Sequence, residues 1–318
     1  MSADASTSWL TRLDYFFLLR PMLFFPGWST MLAGYYIETR TSWLPVVQSG
    51  ESMPVPLLLL TGLAMIMGAS FVLNQLEDIE SDKKNRKLFI IANGLVSKKT
   101  AVREVILVTT GGLLIGFYIN ARVGVLLILF FILTGLIYNF NPFKLKDKPW
   151  GSLIANALMG WLAFAVGWSA LYAPDLQLLA DSLPYLFFNT SLYLFTLLPD
   201  REGDAQSNKK TLAVLKGEKK VINRALVLYF LGLLICAFLN DKQALIFYLL
   251  SLPFYGLTLV RKNTESTIRT TKYAILFFAL SICLRWPFYF LLMLAGFFMT
   301  KMYFKYRFDF DYPNFRGK

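Results

Sequence analysis

Two groups of carboxylates occupy matching places in an otherwise apolar chain. The first lies in Asn74-Gln75-Leu76-Glu77-Asp78-Ile79-Glu80-Ser81-Asp82, and the second in Leu198-Pro199-Asp200-Arg201-Glu202-Gly203-Asp204. Asn74, Asp78 and Asp82 follow an i, i+4, i+8 spacing, which stacks them on one face of a helix. Asp200 and Asp204 repeat the i, i+4 step. Like charges so spaced destabilise a bare helix. Ionised groups near hydrocarbon cost more, about 2.5–3.5 kcal/mol each at a bilayer centre. A bound cation offsets both costs. Oxygen-only donors point to Mg²⁺, which keeps waters and shares its shell with phosphates. Two pairs make either two metal sites or a clamp on one diphosphate. The competing reading is a solvated acidic face bridging nearby lysines. Two such pairs at matching span ends, one with an asparagine a turn earlier, argue against it.

The elements that must hold these groups are membrane helices. Of the 318 residues, 56% are hydrophobic and 16% charged, against about a quarter charged in soluble domains. The runs Val55–Leu76 and Trp150–Tyr172 carry no charge, and about 20 apolar residues cross a bilayer as a helix. The further apolar runs are 16–37, 105–119, 123–138, 183–198, 221–239, 244–260, 273–284 and 286–300. Arg285 and Pro287 separate the last two, so the reading is an all-α polytopic membrane bundle of nine or ten transmembrane helices. Lys and Arg concentrate in alternate connections, 77–103, 139–149, 200–224, 261–272 and 301–318. The other connections hold little beyond Arg40, Arg122, Lys242 and Arg285. The positive-inside rule then turns both acidic motifs to the cytoplasm of a multi-pass cell-membrane protein. The net charge of +12 is explained by topology and anionic lipid, with no call for nucleic acid.

The absence of histidine excludes imidazole-held haem or zinc and every Ser-His or Cys-His nucleophile. Cys236 and Cys283 stand in separate apolar runs and read as small hydrophobes rather than a disulfide. The many Phe and Tyr rings read as packing or interface residues ahead of cation shields. Charge on a diphosphate beyond what metal neutralises calls for Lys or Arg. Arg86, Lys87, Lys144, Lys146 and Arg201 are the candidates in the sequence.

Three blocks together resemble the UbiA superfamily of intramembrane prenyltransferases. Asn74…Asp78…Asp82 resembles the family's NDxxDxxxD motif. Tyr138-Asn139-Phe140-Asn141-Pro142-Phe143-Lys144-Leu145-Lys146, followed by Gly151 and Asn156, resembles its YSxPPxRLK segment. Pro199–Asp204 with Thr211-Leu212-Ala213-Val214 and Gly217 resembles PDxEGDxxxGxxTLAV. Gln75 stands where the family has its first aspartate, and Lys87–Gly94 where it reads RPIPSG. The resemblance implies a ring of helices in pseudo-repeated halves around a central cavity. It also implies Asp78, Asp82, Asp200 and Asp204 as catalytic Mg²⁺ ligands. Asn74, Tyr138, Lys144, Lys146, Arg86, Arg201 and Asn156 become substrate contacts.

The implied partners are an isoprenyl diphosphate, a lipophilic or aromatic acceptor and the bilayer, with no signal for an obligate protein partner. The expected organisation is a short cytoplasmic N-terminus at 1–12 and a single transmembrane domain at 13–304. That domain has halves near 13–140 and 141–304, and a basic tail at 305–318 follows. A terpene cyclase or diphosphate hydrolase on the same site is the nearest alternative. A transporter is the alternative of another class, disfavoured because the acids stand at span ends on one side rather than at mid-membrane.

Overall fold

The structure, a computed structural model, describes residues 5–43, 54–80, 89–206 and 210–313. Asp82, Arg86 and Lys87 lie outside the described residues. Among the described residues the regular structure is helical, with no strand. The helices are α1 (Ala5–Leu18), α2 (Phe24–Tyr35), α3 (Pro54–Glu77), α4 (Phe89–Ala92), α5 (Lys98–Ile119), α6 (Ala121–Phe131), α7 (Pro149–Trp168), α8 (Leu176–Thr196), α9 (Arg201–Gln206), α10 (Leu212–Lys216), α11 (Glu218–Phe238), α12 (Lys242–Arg261), α13 (Thr264–Cys283) and α14 (Phe288–Phe308). Five of them, α3, α5, α7, α11 and α12, are long and apolar enough to cross a membrane by length and composition.

Most apolar runs in the sequence meet a helix, and local signals set the starts. Ser97, Asn120, Asp175, Thr211, Asp241 and Asn263 each accept a backbone N–H of the turn that follows, as N-caps do. The run 16–37 is an exception to the one-run, one-helix reading. It breaks between Leu18 and Pro21, with Arg20 in the left-handed region at φ 58°. Pro21 has no N–H with which to continue the ladder. The runs split by Arg285 and Pro287 form two separate helices, α13 and α14.

The chain forms two compact units. The first comprises Met1–Trp28, Pro54–Phe143 and Leu291–Asn314, and the second Ser29–Met53, Lys144–Phe290 and Phe315–Lys318. In the first, α3 packs along α5 over a core that includes Phe17, Leu18, Val72, Ile79 and Val105. Its two chain ends are tied together. Asp14 of α1 accepts from Tyr303 at 2.6 Å and from Arg307 at 3.1 and 3.0 Å, while Phe17 stacks on Tyr303 at 3.8 Å.

In the second unit, α8 packs on α11 and α12 on α13. The core is aromatic, built from Tyr185, Phe188, Tyr229, Phe247, Tyr248, Tyr255 and Phe278. The Tyr229, Tyr248 and Tyr255 hydroxyls find internal partners. Tyr248 donates to the Pro184 carbonyl at 2.8 Å, Tyr255 pairs with Ser191 at 3.2 Å, and Tyr229 donates to the Tyr248 carbonyl. A polar ring end away from water needs such a partner. The aromatic residues read as packing in the sequence do pack here.

Candidate functional site

The first acidic motif grows out of the end of α3. Asp78 lies one residue past the helix, yet its N–H still donates to the Asn74 carbonyl at 3.0 Å. The turn therefore holds, and the i, i+4 spacing puts the side chains in contact. Asn74 Nδ2 donates to Asp78 Oδ2 at 3.1 Å. Both side chains are half-buried. Ser70, one turn earlier on the same stripe, pairs with Thr134 Oγ1 at 2.7 Å.

The partner surface is a π-helical turn, Ile132–Ile137, that extends α6. The N–H groups of Tyr138, Asn139 and Phe140 go to the carbonyls of Leu133 and Leu136. The carbonyls of Thr134 and Gly135 instead receive the side chain of Asn139, at 2.8 and 3.1 Å. Asn139 Oδ1 then accepts Asn74 Nδ2 at 2.8 Å. The turn approaches α3 closely, and a Cβ on Gly135 would sit 3.2 Å from Leu73. π turns recur at functional sites because they re-aim the residues that follow them.

Gln75, the neighbour of Asn74, faces the other way. It is 3% exposed and donates to the Leu18 carbonyl at 2.9 Å and to the Phe71 carbonyl at 3.1 Å. The residue at the family's first aspartate position is thus a structural donor to α1.

The second motif belongs to the second unit. The Asp204 N–H donates to the Asp200 carbonyl at 2.8 Å, so the two aspartates share one helical turn. Asp200 and Arg201 are exposed and Asp204 is half-buried. Buried Leu198 anchors the segment on one side, and buried Leu212 and Ala213 on the other. Gly203 is helical, and a Cβ there would meet nothing.

The remaining candidates sit as follows. Lys144 has φ 38°, and its Nζ lies 3.4 Å from Asp147 Oδ2. Lys146 is half-buried on the short 3₁₀ turn Leu145–Asp147. Tyr138 is half-buried just after the π turn. Asn156, on α7, donates its amide to the Ser152 carbonyl of its own helix at 2.9 Å.

The donor set suits a hard divalent cation, because Asn74 Oδ1 and the aspartates offer only oxygen. Among the described residues no three His, Cys, Asp or Glu side chains form a metal-holding group. Asp82, the third member of the first stripe, lies outside them.

Residues 27–272 match the UbiA prenyltransferase family. The chain belongs to that family. A probable homogentisate phytyltransferase 2 of Oryza sativa subsp. japonica is 32% identical over 174 residues, 50% of this chain and 44% of that protein. The matched part of this UbiA-family chain thus spans under half of the rice protein's length. A digeranylgeranylglyceryl phosphate synthase of Saccharolobus solfataricus is 28% identical over 208 residues, 63% of this chain and 72% of that protein. The fold matches the UbiA homolog of Archaeoglobus fulgidus, solved bound to GPP and Mg²⁺. The TM-score is 0.67 at 20% identity, over 85% of this chain and 99% of that one. As a member of the family the chain is an integral membrane protein.

Two things escaped the sequence reading. Ser70 and Asn139 support the first motif. Ser70 continues the i, i+4 stripe backwards, a signal present in the sequence, whereas the role of Asn139 depends on a π turn. Arg40 and Arg285, read as connection residues, are internal to the second unit. Arg40 forms an ion pair with Asp181, and Arg285 donates to Gln243 at 3.4 Å and to the Ser42 carbonyl.

Proposed function

We propose that this protein transfers an isoprenyl group from a Mg²⁺-bound isoprenyl diphosphate to a lipophilic or aromatic acceptor, releasing diphosphate. The observation that carries the reading is the half-buried Asn74–Asp78 pair at the mouth of α3, in a chain of this family. The Archaeoglobus fulgidus homolog was solved with GPP and Mg²⁺, which supports both ligands.

In this reading Asp78 and Asp82, with Asn74, would hold metal at the first motif, and Asp200 and Asp204 at the second. Bound Mg²⁺ supplies neutralisation of charge building on the leaving diphosphate. Lys144, Lys146, Arg86 and Arg201 complement the remaining negative charge, and Tyr138 contacts the diphosphate. The allylic C–O bond breaks, and its electron pair leaves with diphosphate. The acceptor's nucleophilic atom bonds to the allylic carbon and then loses a proton. Asn156 lines the acceptor side. The apolar helices exclude water, which would otherwise capture the cation. The Lys/Arg bias of the connections supports a cytoplasmic face for the motifs.

The test is to incubate detergent-purified protein with Mg²⁺ and labelled geranylgeranyl or farnesyl diphosphate, with and without acceptors. Acceptor-dependent release of diphosphate is expected. Asp78→Ala and Asp204→Ala are each expected to lower turnover at least a hundredfold while the protein remains folded. Retained turnover in both variants would sink the ligand assignment. Release with no acceptor incorporated would point to cyclisation or hydrolysis.

A further inference from the structure

The hydrogen bonds around Asn139 use every side-chain amide hydrogen of Asn139 and of Asn74. Asn139 is fully buried. Its Nδ2 has two hydrogens, and two carbonyls receive them, Thr134 at 2.8 Å and Gly135 at 3.1 Å. Those carbonyls accept them because the π turn sends the following N–H groups to Leu133 and Leu136. The opposite amide orientation would press Oδ1 against two carbonyl oxygens, which repel it. Asn139 Oδ1 therefore points at Asn74 as an acceptor.

That orientation dictates the next amide. Asn74 meets Asn139 Oδ1 at 2.8 Å and Asp78 Oδ2 at 3.1 Å. Both neighbours are acceptors, so both must face Asn74 Nδ2, and its two hydrogens are used. The one polar side-chain atom left to Asn74 for a cation is Oδ1.

We propose that Asn139 is a positioning residue for the first acidic motif, locking the Asn74 amide so that Oδ1 is offered to the metal and Nδ2 orients Asp78. This rests on the function proposed above and adds a residue that touches neither metal nor substrate. Hydrogen-bonded partners of metal ligands set ligand orientation, and their loss costs about 10–100-fold in metal affinity. Without Asn139 the Asn74 amide keeps only its Asp78 contact to hold its orientation, and a flipped amide presents an N–H to the cation.

The test is calorimetric binding of geranyl diphosphate to the full chain in detergent at graded Mg²⁺ concentrations, with thermal unfolding measured on each variant. Asn139→Ala is expected to raise the Mg²⁺ concentration for half-maximal binding about tenfold or more. Asn74→Ala is expected to do at least as much. The double variant is expected to match Asn74→Ala alone, because Asn139 acts only through Asn74. Asn139→Gln keeps an amide but shifts its oxygen by one methylene, and it carries the same expectation if the alanine variant misfolds. Wild-type Mg²⁺ dependence in both Asn139 variants would overturn the proposal, as would shifts that multiply in the double variant. Absence of Mg²⁺-dependent binding by the wild type would overturn the proposed function and this role together. Normal wild-type binding with unshifted Asn139 variants overturns this role alone.

Discussion

Gln75 reaches from α3 to the last residue of α1, donating Nε2 to the Leu18 carbonyl at 2.9 Å. The N–H groups of Leu19 and Arg20 go to Phe16 and Phe17, so Gln75 serves a carbonyl at the helix end, where intrahelical donors run out. Asn74 and Gln75 are sequence neighbours on different faces of α3, one turned to the acidic motif and the other to the core.

Gln75→Leu should therefore cost about 1–3 kcal/mol of stability, the penalty for a buried carbonyl left without its donor. Gln75→Asp should cost more, because a carboxylate would face carbonyl oxygens. Thermal unfolding in detergent measures both. Tighter Mg²⁺ binding by Gln75→Asp would show that the side chain reaches the metal-binding face, contrary to the structure.

Asp14→Ala should loosen α14 from α1. The carboxylate is 3% exposed and takes three hydrogen bonds from Tyr303 and Arg307. The Asp14 partnership holds the Arg307 guanidinium above its usual pKa, so the arginine stays charged. Removing the acid leaves that charge without its partner, at about 3–5 kcal/mol. Adding Arg307→Met should recover part of the loss, which a double-mutant cycle measures. Strict additivity would contradict a direct pair.

Stability should fall as pH rises through the titration of Asp241, in the connection before α12. Burial pushes its carboxyl from 3.8 up to about 6, against the lowering effects of the Ala244 N–H, Tyr185 and Arg40, with Asp181 raising it further. The folded state then holds a proton that the unfolded state releases near 3.8. The stabilisation is complete below 3.8 and is lost as pH passes about 6. The loss amounts to roughly 3 kcal/mol. Asp241→Asn keeps the Oδ1 that caps α12 at 2.8 Å and should flatten the profile. Unfolding midpoints between pH 4 and pH 8, at about one-unit steps, supply the check; an unchanged slope in the variant would refute it.

Gly34 and Gly167 should tolerate no side chain. A Cβ on Gly34 would collide with the Phe164 carbonyl, and one on Gly167 with the Met31 carbonyl. Small residues permit such backbone approach between membrane helices. Gly167→Val should abolish the folded protein on size-exclusion chromatography. Gly203→Ala, where a Cβ meets nothing, should fold normally.

Much of this protein was legible in its sequence. Apolar runs of about 20 residues have one stable solution in a bilayer, the helix, and most of them became helices. The i, i+4 spacing put Asn74 against Asp78 because a helix brings those positions together. The three motif blocks and their order carried the family.

Tertiary structure decided what spacing cannot. Gln75 looks like a neutral replacement within a metal motif, and only the position of Leu18 shows it to be a donor to α1. Asn139 looks like one member of a family segment; its role follows from a π turn, a one-residue departure in helix phase that no apolar pattern records. Arg40 and Arg285 look like sparse connection charges, yet both are internal to the second unit. In each case the deciding partner is far along the chain, Leu18 57 residues from Gln75 and Asn139 65 from Asn74. Local periodicity fixes which residues share a face. Long-range packing decides which of those faces meet.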